Sequence, residues 1–139
     1  MDNLIFDAER RHYTINGDTE KVIAFDPSDY NIWIRVQDLQ KRLADDERLK
    51  PPTGASVEEL RDFIEKSDRI IREAVDAVFD SPVSDTAFGN RHAATRLKSG
   101  RLLYEAFLQA MADEVRKTLE ADAGEAEKVD KYVNKYVEK

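Results

Sequence analysis

Two histidines, His12 and His92, are the side chains best suited to acid–base work near neutral pH, and neither stands at a metal-ligand spacing. The chain has no cysteine, which excludes disulfides and thiolate metal sites and leaves a zinc site dependent on several carboxylates. Asp45, Asp46 and Glu47 form an acidic run at a helix end and read as a solvated cluster. Thr53-Gly54-Ala55-Ser56 lacks both the spacing and the lysine of a phosphate-binding loop. Ser56, Ser67, Ser81, Ser84 and Ser99 carry no Gly-x-Ser-x-Gly signature. The acid pairs Glu58–Glu59 and Asp113–Glu114 occupy helix turns as surface residues. These patterns predict a protein that is not an enzyme, with no catalytic residues, no metal and no cofactor.

The elements that hold these residues belong to a chain of 139 residues, long enough for one domain with a real core. A hydrophobic fraction of 41% is globular, whereas 37% charged residues calls for extensive solvated helix faces. The first residues have no basic run and no long apolar stretch, so no secretory signal is expected. No segment approaches the ~20 apolar residues of a membrane span, so no membrane partner is expected. A net charge of −7 opposes general nucleic-acid binding, which depends on clustered cations. Arg91, His92, Arg96, Lys98 and Arg101 are the exception, read first as a solvated loop or helix start.

The expected fold is mainly α (α+β): an N-terminal β-hairpin followed by a three- to four-helix antiparallel bundle. Residues 1–26 form the hairpin part, 27–122 the helical core and 125–139 a C-terminal amphipathic helix. His12-Tyr13-Thr14-Ile15 and Val22-Ile23-Ala24-Phe25 are strand-like runs around Asn16-Gly17, a turn dipeptide that tolerates positive φ. Leu4-Ile5-Phe6 is placed at the start of the first strand or on an extra edge. Asp26-Pro27-Ser28-Asp29 predicts a helix start, with Ile32, Val36, Leu39 and Leu43 on its inner face and Trp33 beside them. Tyr30, Trp33, Tyr104 and Phe107 lie among aliphatics at helical spacing and are expected in the core.

Ser56-Val57-Glu58-Glu59 reads as a capping box opening a central helix. Its broad stripe runs from Leu60, Phe63 and Ile64 to Val78 and Phe79, and Ser81-Pro82 stops it. The connection beyond is no ordinary linker, because Val83 and Phe88 call for burial. A further helix is predicted from about 101 to 121, with Gly124 breaking or kinking it. Val129, Tyr132, Val133 and Tyr136 then form one stripe of a terminal helix that needs something to dock on.

The order of these parts resembles the tail assembly chaperones of long-tailed (siphovirus-type) bacteriophages and prophages. The hairpin from Thr14-Ile15-Asn16-Gly17 to Ala24-Phe25-Asp26-Pro27-Ser28-Asp29 carries the likeness first. Ala77-Val78-Phe79-Asp80, then Ser84-Asp85-Thr86-Ala87-Phe88-Gly89, then Leu103-Tyr104-Glu105-Ala106-Phe107 continue it. Asp80 stands where the family pattern has a glycine, and 90–100 is longer than the family's connection.

This resemblance implies a non-enzymatic protein of the host bacterial cytoplasm, absent from the mature virion, that binds the tape measure protein and keeps it soluble during tail assembly. It also implies self-association along that client and, through a longer form made by ribosomal frameshifting, recruitment of the tail tube protein. Partner contact is expected at Phe88, Tyr104, Phe107, Val129, Tyr132, Val133 and Tyr136, with the hairpin edge and C-terminal helix as self-association surfaces. The alternative reading is a bacterial adaptor or regulatory interaction module whose basic 91–101 segment contacts nucleic acid or an acidic partner.

Overall fold

The computed structural model describes residues 1–6 and 10–137, with side chains to residue 125. Two strands, β1 (Arg11–Ile15) and β2 (Asp18–Phe25), form an antiparallel hairpin that precedes the helices. Asn16 and Gly17 turn it at φ 50° and 76°, the two positive values that a tight two-residue hairpin turn demands. Tyr13 pairs with Ile23 and His12 with Ala24, and the register slips between Thr14 and Ile15. Ile23 and Phe25 are buried while Tyr13 and Ile15 are half-buried, so one face of the hairpin lies on the helices. Leu4-Ile5-Phe6 joins no strand and is exposed, in contrast to the strand start or extra edge expected of it.

Helix α1 (Asn31–Ala44) begins five residues after the expected Asp26 cap. Asp26 Oδ1 accepts instead from the Ser28 N–H at 2.9 Å, so its carboxylate closes a local turn around Pro27 rather than opening a helix. The inner face of α1 is Ile32, Val36, Leu39 and Leu43, all buried. Helix α2 (Val57–Phe79) opens on the capping box: the Glu59 N–H donates to Ser56 Oγ at 3.2 Å, and that hydroxyl donates to Glu59 Oε1 at 3.1 Å. Helix α2 ends on Asp80 at φ 49°, with the Ser81 N–H reaching back to the Asp76 carbonyl.

A one-and-a-half-turn helix, α3 (Val83–Phe88), occupies the elbow, and α4 (Leu103–Val137) follows. Helix α4 runs unbroken through Gly124, correcting both the expected break and the separate terminal helix. A glycine in mid-helix costs only about 1 kcal/mol, too little to interrupt a helix of 35 residues. Arg35 Nε donates to the Val78 carbonyl at 2.9 Å, and Leu43 lies across a groove from Ile64. Those contacts run α1 antiparallel to α2. Tyr30 bonds Asp122 while Ala44 lies beside Glu105, so α1 is antiparallel to α4 as well. The fold is therefore α+β, a hairpin on a helical bundle. Among the described residues, no helix is long and apolar enough to cross a membrane.

Candidate functional site

The elbow is organised by three charged residues one turn apart on α2. Arg72 is only 15% exposed. Its Nε donates to Asp68 Oδ2 at 3.0 Å and its Nη1 to Asp85 Oδ1 at 2.9 Å. Its Nη2 reaches the carbonyls of Gly89 at 2.7 Å and Arg91 at 2.8 Å. The guanidinium carbon stands 5.6 Å from the centre of the Phe88 ring. Asp68 Oδ1 accepts from the Ala93 N–H at 2.7 Å. Asp76 accepts from both the Ser84 N–H, at 2.7 Å, and the Ser84 hydroxyl, at 3.0 Å. An acid on α2 thus caps α3, whose own Pro82 offers no capping side chain.

Apolar packing completes this wiring. Tyr13 stacks on Phe25 at 4.8 Å, and edge contacts continue through Phe79 and Phe107 to Phe88. The chain of rings joins the hairpin to the elbow. Phe88, Tyr104 and Phe107, three of the expected partner contacts, are buried in the core, with Tyr104 also at the edge of a groove. They shape the surface from beneath. Val129, Tyr132, Val133 and Tyr136 lie outside the residues whose side chains are described.

The one close serine–histidine contact among the described residues is arranged for structure. His92 Nε2 lies 3.0 Å from both Ser67 Oγ and the Ile64 carbonyl, while His92 Nδ1 accepts from the Ala94 N–H at 3.0 Å. With Nδ1 occupied as an acceptor, the ring proton belongs on Nε2, where it faces the Ile64 carbonyl. Nε2 is then a donor and has no lone pair with which to take a proton from Ser67. Among the described residues, no group of three or more His, Asp and Glu could hold a metal ion.

The basic stretch folds into a small loop of its own. Arg96 Nη1 donates to the Gly100 carbonyl at 2.7 Å, and the Leu97 N–H donates to the Arg101 carbonyl at 2.8 Å. Arg91, Arg96, Lys98 and Arg101 are exposed.

What remains uncovered is apolar. On the α1–α4 face, Trp33 is 41% exposed, Ile34 52% and Leu119 45%, with Tyr30 beside them. They line a depression of about 460 Å³ with Val115, Arg116 and Glu120. Trp33 and Tyr30 are therefore surface residues, contrary to the core placement expected of them. Consecutive Ile32-Trp33-Ile34 already carried that signal, because neighbours about 100° apart cannot share one narrow helix face. A larger groove, of about 580 Å³, lies between the end of α1, the first half of α2 and the 91–102 segment.

Compared with known proteins, this chain matches no family model, no curated protein and no solved structure. Geometry and sequence must carry any functional argument.

The ionisation of two tyrosines reflects these environments. Burial, then the bond to Glu114 (Tyr13 Oη to Glu114 Oε1, 3.1 Å), pushes the Tyr13 phenol above its usual value. Burial, then the nearby Glu105 charge, does the same to Tyr104.

Proposed function

We propose that this protein is a non-enzymatic tail assembly chaperone that binds amphipathic helices of a phage tape measure protein in the host cytoplasm. The supporting observation is the uncovered Tyr30–Trp33–Ile34–Leu119 surface. It is built on two helices and flanked by Arg116 and Glu120. An apolar depression with a charged rim suits the apolar stripe of another helix, whose anchors recur at three- and four-residue intervals. Such patches on a small domain mark interaction sites more often than they occur idly. The left-handed Asp80 adds support, since that backbone conformation is the one a glycine-ended helix stop adopts.

In this reading the rigid elbow and ring chain set the angle between α1 and α4, and the client helix lies across them. Copies line up along the client, and open head-to-tail contacts between copies form spirals rather than closed rings. A longer frameshifted form would bring the tail tube protein to the same assembly.

Co-expression with a phage tape measure protein tests the reading. A chaperone keeps that protein in the supernatant and co-elutes with it on size exclusion. A client that stays insoluble, with no complex, overturns the proposal. Retention of the protein on DNA or heparin, weakening steeply with salt, would instead favour the adaptor reading through the exposed cations of 91–101.

A further inference from the structure

The hairpin turn holds a reactive pair that the fold leaves uncovered. Asn16 and Gly17 are both exposed, at φ 50° and 76°. A side chain added at Gly17 would meet nothing within 4 Å, so the space beside this backbone is open. Asn3, Asn31, Asn90 and Asn134 each precede a residue with a side chain, and Asn16 alone precedes a glycine.

The chemistry of such a pair is intramolecular, which gives the attacking nitrogen a high effective concentration. The Gly17 backbone nitrogen, its proton lost to water, attacks Cγ of the Asn16 carboxamide and closes a five-membered imide. The Cγ–Nδ2 bond breaks, and that nitrogen takes a proton from water and leaves as ammonia. A second water opens the ring, its hydroxyl going to one carbonyl carbon and its proton to the ring nitrogen. Opening at Cγ yields an aspartyl residue. Opening at the backbone carbonyl routes the chain through Cγ, an isoaspartyl link with one extra methylene in the main chain. No oxidant, cofactor or enzyme is needed. A Cβ on the following residue crowds the attacking nitrogen, and glycine has none.

Ring closure requires the turn to leave its left-handed form, and the tip of the hairpin permits this. Every residue from Asn16 to Val22 is exposed. The strand register also slips between Thr14 and Ile15, next to the turn. Tyr13, stacked on Phe25, and the buried Ile23 and Phe25 instead anchor the base of the hairpin. The tip therefore opens without uncovering the core, as segments of low local stability do.

We propose that Asn16–Gly17 is a modification site that deamidates spontaneously in the folded chain, and that the isoaspartyl product unpins the hairpin tip. A two-residue turn has no room for an extra methylene. The longer link moves Ile15 and Asp18 out of their pairing, while the rings at the base stay docked.

Incubation of the full chain at pH 8 and 37 °C, with tryptic digestion and mass spectrometry at intervals, provides the test. The 12–21 peptide should gain the mass of an amide-to-acid exchange at least tenfold faster than peptides holding the other asparagines. Electron-transfer fragmentation should show isoaspartate among its products. Gly17→Ala should slow the gain at least tenfold. Alanine at this φ strains the turn and so favours opening, which makes a slower reaction a report on the added Cβ alone. Asn16→Asp should melt like fresh wild type, because aspartate tolerates the left-handed conformation. The isoaspartyl fraction of aged protein should melt at a lower temperature. A site that stays amidated in the folded chain and reacts only in urea overturns the assignment. So does Gly17→Ala reacting at the wild-type rate. An isoaspartyl fraction that melts with Asn16→Asp overturns the unpinning.

Discussion

Arg72 Nη2 and the carbonyl of Gly89 are 2.7 Å apart, so the residue that ends α3 is tied to the middle of α2. Truncating Arg72 leaves two backbone carbonyls and the Asp68 and Asp85 carboxylates without that donor. Arg72→Ala should therefore cost roughly 2–4 kcal/mol. Arg72→Lys should recover little, because an ammonium cannot present the forked donors that serve four acceptors. Urea denaturation monitored by circular dichroism would measure both.

Phe88 fills the other side of that guanidinium and meets Phe107 edge-on at 5.6 Å. Phe88→Ala should destabilise by about 3–5 kcal/mol, the cost of losing a buried aromatic. In a double-mutant cycle with Arg72→Ala the losses should fall short of additive, since each mutation already weakens the other's surroundings. A Phe88→Ala cost within measurement error would show that the elbow contributes nothing to folding.

Asp80 holds a left-handed conformation at φ 49°, ψ 41°. Glycine adopts that geometry without the steric penalty of a Cβ. Asp80→Gly should thus be neutral or stabilising by up to about 1 kcal/mol, while Asp80→Val should be destabilising. Thermal melting of the two variants distinguishes this from an ordinary surface position, where neither change would matter.

Tyr13 and Tyr104 both have phenols held above the ordinary value of 10.0. A raised folded-state value means that the folded chain keeps a proton the unfolded chain gives up above pH 10. Their stabilising contribution is therefore complete below pH 10 and is lost as the pH climbs through the raised values. Tyr104→Phe and Tyr13→Phe should each flatten the alkaline decline in stability. Denaturation midpoints at pH 8 and pH 11 would check the sign.

Trp33 and Ile34 are half-exposed on α1, so exchanging them for serine removes little internal packing. Trp33→Ser with Ile34→Ser should shift stability by less than about 1 kcal/mol. Retention of the helical client should nevertheless fall at least tenfold. A pull-down that is unaffected would move the contact surface elsewhere.

Local chemistry was readable where it was complete within a few residues. Ser56 and Glu59 form their capping box three residues apart, and Asn16-Gly17 turns the hairpin. Asp26 shows the limit of such reading: the same acid closes a turn or opens a helix, and only the path of the chain decides. Apart from the Asp68–Arg72 pair itself, the partners of Asp68, Arg72 and Asp76 lie 8 to 25 residues away in sequence, beyond any periodic pattern. On a wheel these three look like a solvated face. The run Ile32-Trp33-Ile34 shows that not all three side chains fit one narrow face, but amphipathicity does not say whether the fold has a neighbour for those that leave it.

Gly124 leaves α4 continuous, and so gives the C-terminal half of that helix a fixed bearing relative to the core. Deleting a single residue between Ala121 and Gly124 would swing everything beyond by about 100° and draw it in by about 1.5 Å. Seven residues make nearly two full turns, so removing seven would almost restore the original heading. That second deletion also draws the distal half in by about 10.5 Å. A partner that depends on its heading alone should tolerate it better than the first, whereas one that spans it and the Trp33 face should tolerate neither.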